Sequence, residues 1–106
     1  MQTHGMSTLW TFGGVTYVVV HRMAPPLSPA TAAFGQRVRL RRQQLGLSQE
    51  ALADRCGVHW TFLGQVERGQ RNLSLHNLLK VAHGLDIDPG DLLRGLSAAD
   101  SGPPDP

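Results

Sequence analysis

The segment Gln49-Glu-Ala-Leu-Ala-Asp-Arg-Cys-Gly-Val-His-Trp-Thr-Phe-Leu-Gly-Gln-Val-Glu-Arg68 decides how this chain of 106 residues folds. Ser48, just before it, is an N-cap, and Gln49-Glu50 opens a helix that runs to about Cys56 with Leu52 and Ala53 inward. Gly57 ends that helix, because a residue without a Cβ enters the left-handed conformation at little cost. After Val58 and His59 another helix extends to about Arg68, with Leu63 and Val66 inward and Gly69 as its stop. Two such helices cross closely when the first is small at the contact and the turn tolerates positive φ. Ala53 and Gly57 meet those needs, and Leu52, Val58, Leu63 and Val66 fill the wedge. The second helix then presents its N-terminal half outward.

Helical spacing continues on both sides. From Ala30 to Gly46, Phe34, Val38 and Leu45 share one face, with Arg37, Arg39, Arg41 and Arg42 around the rest. Downstream, Ser74 caps a helix over Leu75–Gly84, for which Leu75, Leu78, Leu79 and Ala82 are the expected buried stripe. Asp88-Pro89 opens a short fifth helix to about Arg94, with proline at the first position, where its missing N–H is harmless. Residues 31–96 therefore read as an all-α, compact five-helix domain. Residues 1–30 form an extension: a short hairpin around Gly13-Gly14 within residues 8–22, then a Pro-rich linker from Met23 that cannot be helical. Met6 and Met23 are alternative initiation points, and under the second the stretch before Met23 is not part of the natural chain. If the strand pairing is real, its exposed edge offers a route to a second copy. Residues 97–106, rich in Ser, Gly, Pro and Asp, read as a disordered tail.

Charge is divided along the chain. Between Phe34 and Asn72 seven arginines face three acids, whereas from Leu73 onward two bases face five aspartates. A basic half suits a polyanion, although a solvated basic helix face gives the same count. The single cysteine, Cys56, excludes an internal disulfide and points to a reducing compartment. Val15–Val20 is too short to cross a bilayer, which needs about 20 residues, and a secretory signal pattern is lacking. The chain reads as cytoplasmic. Cys56-x2-His59 with His76 and His83 falls short of two close ligand pairs, so surface histidines and a small core cysteine are expected rather than a metal site. No Gly-rich phosphate loop, nucleophile elbow or paired-carboxylate cleft is present, and Cys56 at a helix C-terminus is poorly placed to be a thiolate. Neither an enzyme nor a cofactor is expected.

Phe34–Leu93 resembles the lambda-repressor-like (Xre-type) helix-turn-helix family. The match runs through Arg42-Gln-Gln-Leu-Gly-Leu-Ser-Gln49, Ala53, Gly57, Glu67-Arg68-Gly69 and Ser74-Leu75, with Leu85, Pro89 and Leu92-Leu93 closing it. Within that family, Thr61-Phe-Leu-Gly64 and Glu67-Arg-Gly-Gln-Arg-Asn72 look most like the controller proteins of restriction–modification systems. The resemblance implies a double-stranded DNA-binding transcriptional regulator acting as a homodimer on a palindromic operator. It assigns base reading to Trp60, Thr61 and Gln65. It assigns phosphate contacts to Gln49, Arg39, His59, Arg71 and Asn72. Arg42 and Glu67 would form a largely buried salt bridge between the first and third helices, and Leu85, Ile87, Leu92 and Leu96 would supply the dimer interface. Two positions depart from the controllers. Trp60 stands where they usually carry arginine, and Phe62 where the family often has tyrosine.

Other readings of these residues remain. Trp60 packs inward if Leu63 and Val66 do not already fill the inner face, and Gln65 is equally a solvated polar residue. The same fold also serves as an antitoxin-like or protein-interaction module with a protein partner in place of DNA. Arg39, Arg41 and Arg71 together with Gln49 and Gln65 favour DNA.

Overall fold

The computed structural model describes residues 7–20, as backbone, and 24–98. Five helices follow a two-stranded antiparallel hairpin, β1 (Ser7–Phe12) and β2 (Val15–Val20), in which Phe12 faces Val15. Its two-residue loop, Gly13-Gly14, has φ of 54° and 83°. Positive φ at both loop positions is the turn whose twist matches that of the strands it joins. Residues 1–6 and 21–23 of the extension and the expected disordered tail from 99 onward lie outside the described residues.

The helices are α1 (Pro29–Gln44), α2 (Gln49–Cys56), α3 (Trp60–Glu67), α4 (Leu75–Gly84) and α5 (Pro89–Leu93). Each begins on a side-chain cap: Ser28, Ser48, His59, Ser74 and Asp88 in turn. Gly57 closes α2 at φ 71°, as the turn between α2 and α3 requires.

The first helix starts earlier than its apolar spacing suggests, within the stretch read as a non-helical linker. Pro29 is its first residue. Ser28 Oγ accepts from the Thr31 amide at 3.0 Å, while the Ser28 amide donates to Thr31 Oγ1 at 3.0 Å. This reciprocal cap satisfies two otherwise orphaned donors, and proline at the first position costs no hydrogen bond. The preceding chain is tied down as well. The Leu27 amide donates to the Gly69 carbonyl at 2.8 Å, and Gln70 Nε2 donates to the Ala24 carbonyl at 2.6 Å.

All five helices contribute to one core: Phe34, Val38, Leu52, Ala53, Cys56, Leu63, Val66, Val81, Ala82, Leu85 and Leu92. The buried face of α4 differs from the expected stripe. Leu75 is 72% exposed and Leu79 46%, while Val81, Ala82, Gly84 and the adjoining Leu85 are buried. The sequence carries two overlapping stripes, and contact with α2 selects the one containing a glycine. A Cβ on Gly84 would stand 2.3 Å from Cys56 Sγ, so only glycine lets the helices approach this closely there.

Candidate nucleic-acid interface

The orientation of α3 is set by a polar cluster at its C-terminal end. Arg42 of α1 grips Glu67 with both nitrogens of its fork, Nε to Oε2 at 2.6 Å and Nη2 to Oε1 at 3.0 Å. Arg42 Nη1 donates to the Leu47 carbonyl at 2.9 Å. The Glu67 side chain is 3% exposed and that of Arg42 13%. The hydrogen bond to Glu67 raises the Arg42 pKa, outweighing burial, so the guanidinium stays charged. Gln49 Nε2 adds a third donor to Glu67 Oε1 at 3.0 Å. One carboxylate thus collects α1, α2 and α3. Gln49, expected on a DNA phosphate, spends one of its two amide hydrogens on Glu67, which has acceptor capacity left over from Arg42, and its side chain is half-buried.

At the other end of α3 two of the expected base-reading residues, Trp60 and Thr61, face outward. Trp60 is 53% exposed and its ring stacks on that of His59, with centroids 5.8 Å apart. Thr61 is exposed and Gln65 half-buried. His59 caps the helix, its Nδ1 accepting from the Thr61 amide at 3.1 Å. An accepting Nδ1 places the ring proton on Nε2, leaving a donor on the far side of the imidazole. Gln65 Oε1 accepts from Arg71 Nε at 2.8 Å, and the Arg71 guanidinium lies 5.2 Å from the centre of the Phe62 ring. Asn72 and Arg39 are exposed.

The basic half of the sequence divides into two groups of arginines. Arg37 Nη1 donates to the Leu92 and Arg94 carbonyls at 3.1 and 2.7 Å. Arg41 donates to the Leu85 and Asp86 carbonyls at 3.0 Å each. With Arg42, these cations serve the fold by closing the C-terminal ends of α4 and α5 and the seam to α3. The spacing of four between Arg37 and Arg41 was the available signal, but spacing alone does not say whether a cation faces water or a carbonyl. Arg39, Arg55, Arg68 and Arg71 are the exposed set. Among the described residues the ion pairs are Arg42–Glu67 and Arg94–Asp91, so none of these four is neutralised by an acid.

The expected dimer interface needs correction. Leu85 and Leu92 are 0% and 1% exposed and belong to the core, so they present no surface to a second chain. Ile87 and Leu96 are half-buried against that core. The remaining apolar exposure on these helices comes from Leu75, Leu79 and Leu93. Cys56 is buried, with a thiol pushed up to about 11 by desolvation, and is therefore an inert core residue. The described residues contain no cluster of potential metal ligands and no helix long and apolar enough to cross a membrane.

A family profile described as helix-turn-helix matches residues 38–92, about half the chain. The protein belongs to this helix-turn-helix family. Its match with the control protein C.BamHI of Bacillus amyloliquefaciens is 46% identical over 61 residues, 57% of this chain and 75% of that one. The crystal structure of the restriction–modification controller C.AhdI from Aeromonas hydrophila superposes with a TM-score of 0.57 at 53% identity, covering 58% of this chain and 94% of the other. SinR, a master regulator for biofilm formation solved in complex with DNA, superposes at 0.54 with 36% identity, over 57% of this chain and 97% of SinR. This helix-turn-helix protein is thus similar to restriction–modification controllers and to other transcriptional regulators.

Proposed function

We propose that the protein is a sequence-specific, double-stranded DNA-binding transcriptional regulator that acts in the cytoplasm as a homodimer on a palindromic operator, in the manner of a restriction–modification controller. The observation that carries this reading is the outward end of α3, where exposed Trp60 and Thr61 stand with Gln65 on the same short helix, within reach of unneutralised arginine. A helix presented this way fits a major groove roughly 12 Å wide. Arg39, Arg71, Asn72 and the outward Nε2–H of His59 would hold phosphates, and the N-terminus of α2 would add its free amides. Trp60 cannot grip guanine in two places as an arginine does, so it reads by apolar contact, with a thymine methyl as the natural partner. The dimer surface would use Ile87 and Leu96 with Leu75, Leu79 and Leu93, the large apolar side chains that α4 and α5 leave exposed.

Selection of bound duplexes from a random pool tests the proposal. The expected product is a two-fold symmetric site with half-sites about one DNA turn, roughly 34 Å, apart. Affinity for that site should fall with salt at a log–log slope near −0.9 per phosphate neutralised. Sequence-blind binding that stays flat with salt would overturn the DNA-reading role. Enrichment of a lone half-site, bound by one protomer, would overturn the dimer.

A further inference from the structure

We infer that Arg71 is a specificity-setting residue, which fixes the Gln65 amide so that it offers a donor to the DNA. This rests on the DNA-reading role proposed above and names the base edge that one residue of it would select.

A free glutamine on a helix surface presents its amide either way round, and a bidentate pair with adenine uses both ends. Gln65 is not free. Arg71 Nε carries a hydrogen and no lone pair, so the Gln65 atom 2.8 Å from it is the carbonyl oxygen. That assignment follows from the chemistry of the donor. The Gln65 NH2 group is therefore the end directed away from Arg71. Arg71 is itself held in place by the Phe62 ring, whose face lies 5.2 Å from the guanidinium carbon. A planar cation over an aromatic face is a directional contact, and it limits how far the Arg71 fork can swing. Phe62, Arg71 and Gln65 thus form a chain of three residues and two contacts, from the flank of α3 through the following loop and back to α3.

The consequence is a choice among base edges. An outward NH2 meets an acceptor in the major groove: N7 or O6 of guanine, N7 of adenine, or O4 of thymine. It does not meet the N4 amino group of cytosine, which needs an acceptor. The base pair beneath Gln65 is therefore one whose groove edge shows an acceptor at that point, and Arg71 enforces the choice before DNA arrives.

The test compares base preferences, position by position, in duplexes selected by the full chain and by three variants. Gln65→Ala locates the position read by Gln65 as the one whose preference flattens. Arg71→Lys keeps the positive charge but lacks the Nε–H and the planar fork. It should weaken discrimination at that same position by about five- to a hundredfold, the worth of one good base contact, with the other positions retained. Ratios between sites are the readout, so a uniform loss of affinity cancels. Gln65→Glu still pairs with Arg71 but turns an oxygen outward, and the favoured base at that position should change to one presenting an amino group, cytosine above all. An Arg71→Lys profile identical to that of the unaltered chain, or a Gln65→Glu profile that keeps the original base, would overturn the inference while the operator itself still stands. Failure of the unaltered chain to select any sequence would instead sink the DNA-reading role on which it rests.

Discussion

The two seams that hold the helix-turn-helix unit to the rest of the molecule are built on opposite principles. Where α1 meets α3 the contact is polar and directional: Arg42 grips the buried carboxylate of Glu67, which Gln49 of α2 also reaches, and the backbones nearly touch at Gly35. Where α2 meets α4 it is apolar and governed by volume, with Cys56 against Gly84 and Leu52, Ala53, Val81 and Ala82 in the same core. Hydrophobic packing is strong but non-directional, whereas a forked guanidinium–carboxylate pair fixes an angle. The helix proposed to meet DNA at a defined tilt is held by the directional seam. The helix that only supports it is held by the other.

Removing one charge from the polar seam should produce the largest effect. Arg42→Met leaves the Glu67 carboxylate buried with only Gln49 as a donor, and the expected loss is about 3–5 kcal/mol in urea unfolding. The double variant Arg42→Met/Glu67→Leu should recover most of that loss, since a well-packed apolar pair of similar volume removes the stranded charge. Its α3 would then be less tightly oriented, and its DNA affinity should stay low although its stability returns. A double variant that binds DNA as tightly as the unaltered chain would break the distinction between the seams.

Glycine substitutions compare the two contacts at close range. A Cβ on Gly35 would lie 2.3 Å from the Val66 carbonyl oxygen and 2.6 Å from that of Glu67, both backbone atoms of α3. Gly35→Ala should therefore cost about 3 kcal/mol, the upper end of the range for overpacking, and no single side-chain change should rescue it. At Gly84 the nearest obstacle is a side-chain atom, Cys56 Sγ at 2.3 Å, with the Cys56 backbone N and Cα behind it at 3.0 and 3.1 Å. Gly84→Ala should cost about 1–3 kcal/mol, and Cys56→Ala in the same chain should return a good part of it, with a coupling of about 0.5–3 kcal/mol in a double-mutant cycle. Additive losses at Gly84 and Cys56 would mean that the α2–α4 seam does not yield by side-chain volume.

Legibility in the sequence followed the same division. Caps and turns at Ser48, Gly57, Ser74 and Asp88-Pro89 could be placed because each acts on the backbone within a few residues of itself. The buried side of α4 could not be placed. Leu75, Leu78, Leu79, Val81, Ala82 and Leu85 satisfy helical spacing in two phases, and only the neighbour across the seam chooses between them. Leucine is the more hydrophobic residue, yet Gly84 is what lets α2 come close. Leu85 and Leu92 were read as surplus apolar surface for the same reason: the size of the core that five helices enclose is a property of their packing. Arginine misled in the opposite direction. Arg37 and Arg41 count as positive charge in any composition, but the carbonyls that receive them are 44 to 57 residues away. At the outward end of α3 the exposure of Trp60 and Thr61 followed from helical phase. The bond that turns Gln65 did not, since it joins α3 to a loop whose path no local pattern fixes.

The smallest expected effect separates the seams by pH. Burial pushes the Cys56 thiol up to about 11, from an ordinary value near 9. Between those limits the unfolded chain releases the thiol proton while the folded chain keeps it, so the folded form binds more protons and stability falls as pH rises. The loss should begin near pH 9 and level off above about 11. Cys56→Ala removes this contribution and leaves every other titrating group in place. The urea midpoint of the unaltered chain should therefore fall more between pH 8 and pH 10.5 than that of Cys56→Ala. Equal falls would show that water reaches the thiol, and that the apolar seam is looser than its packing against Gly84 requires.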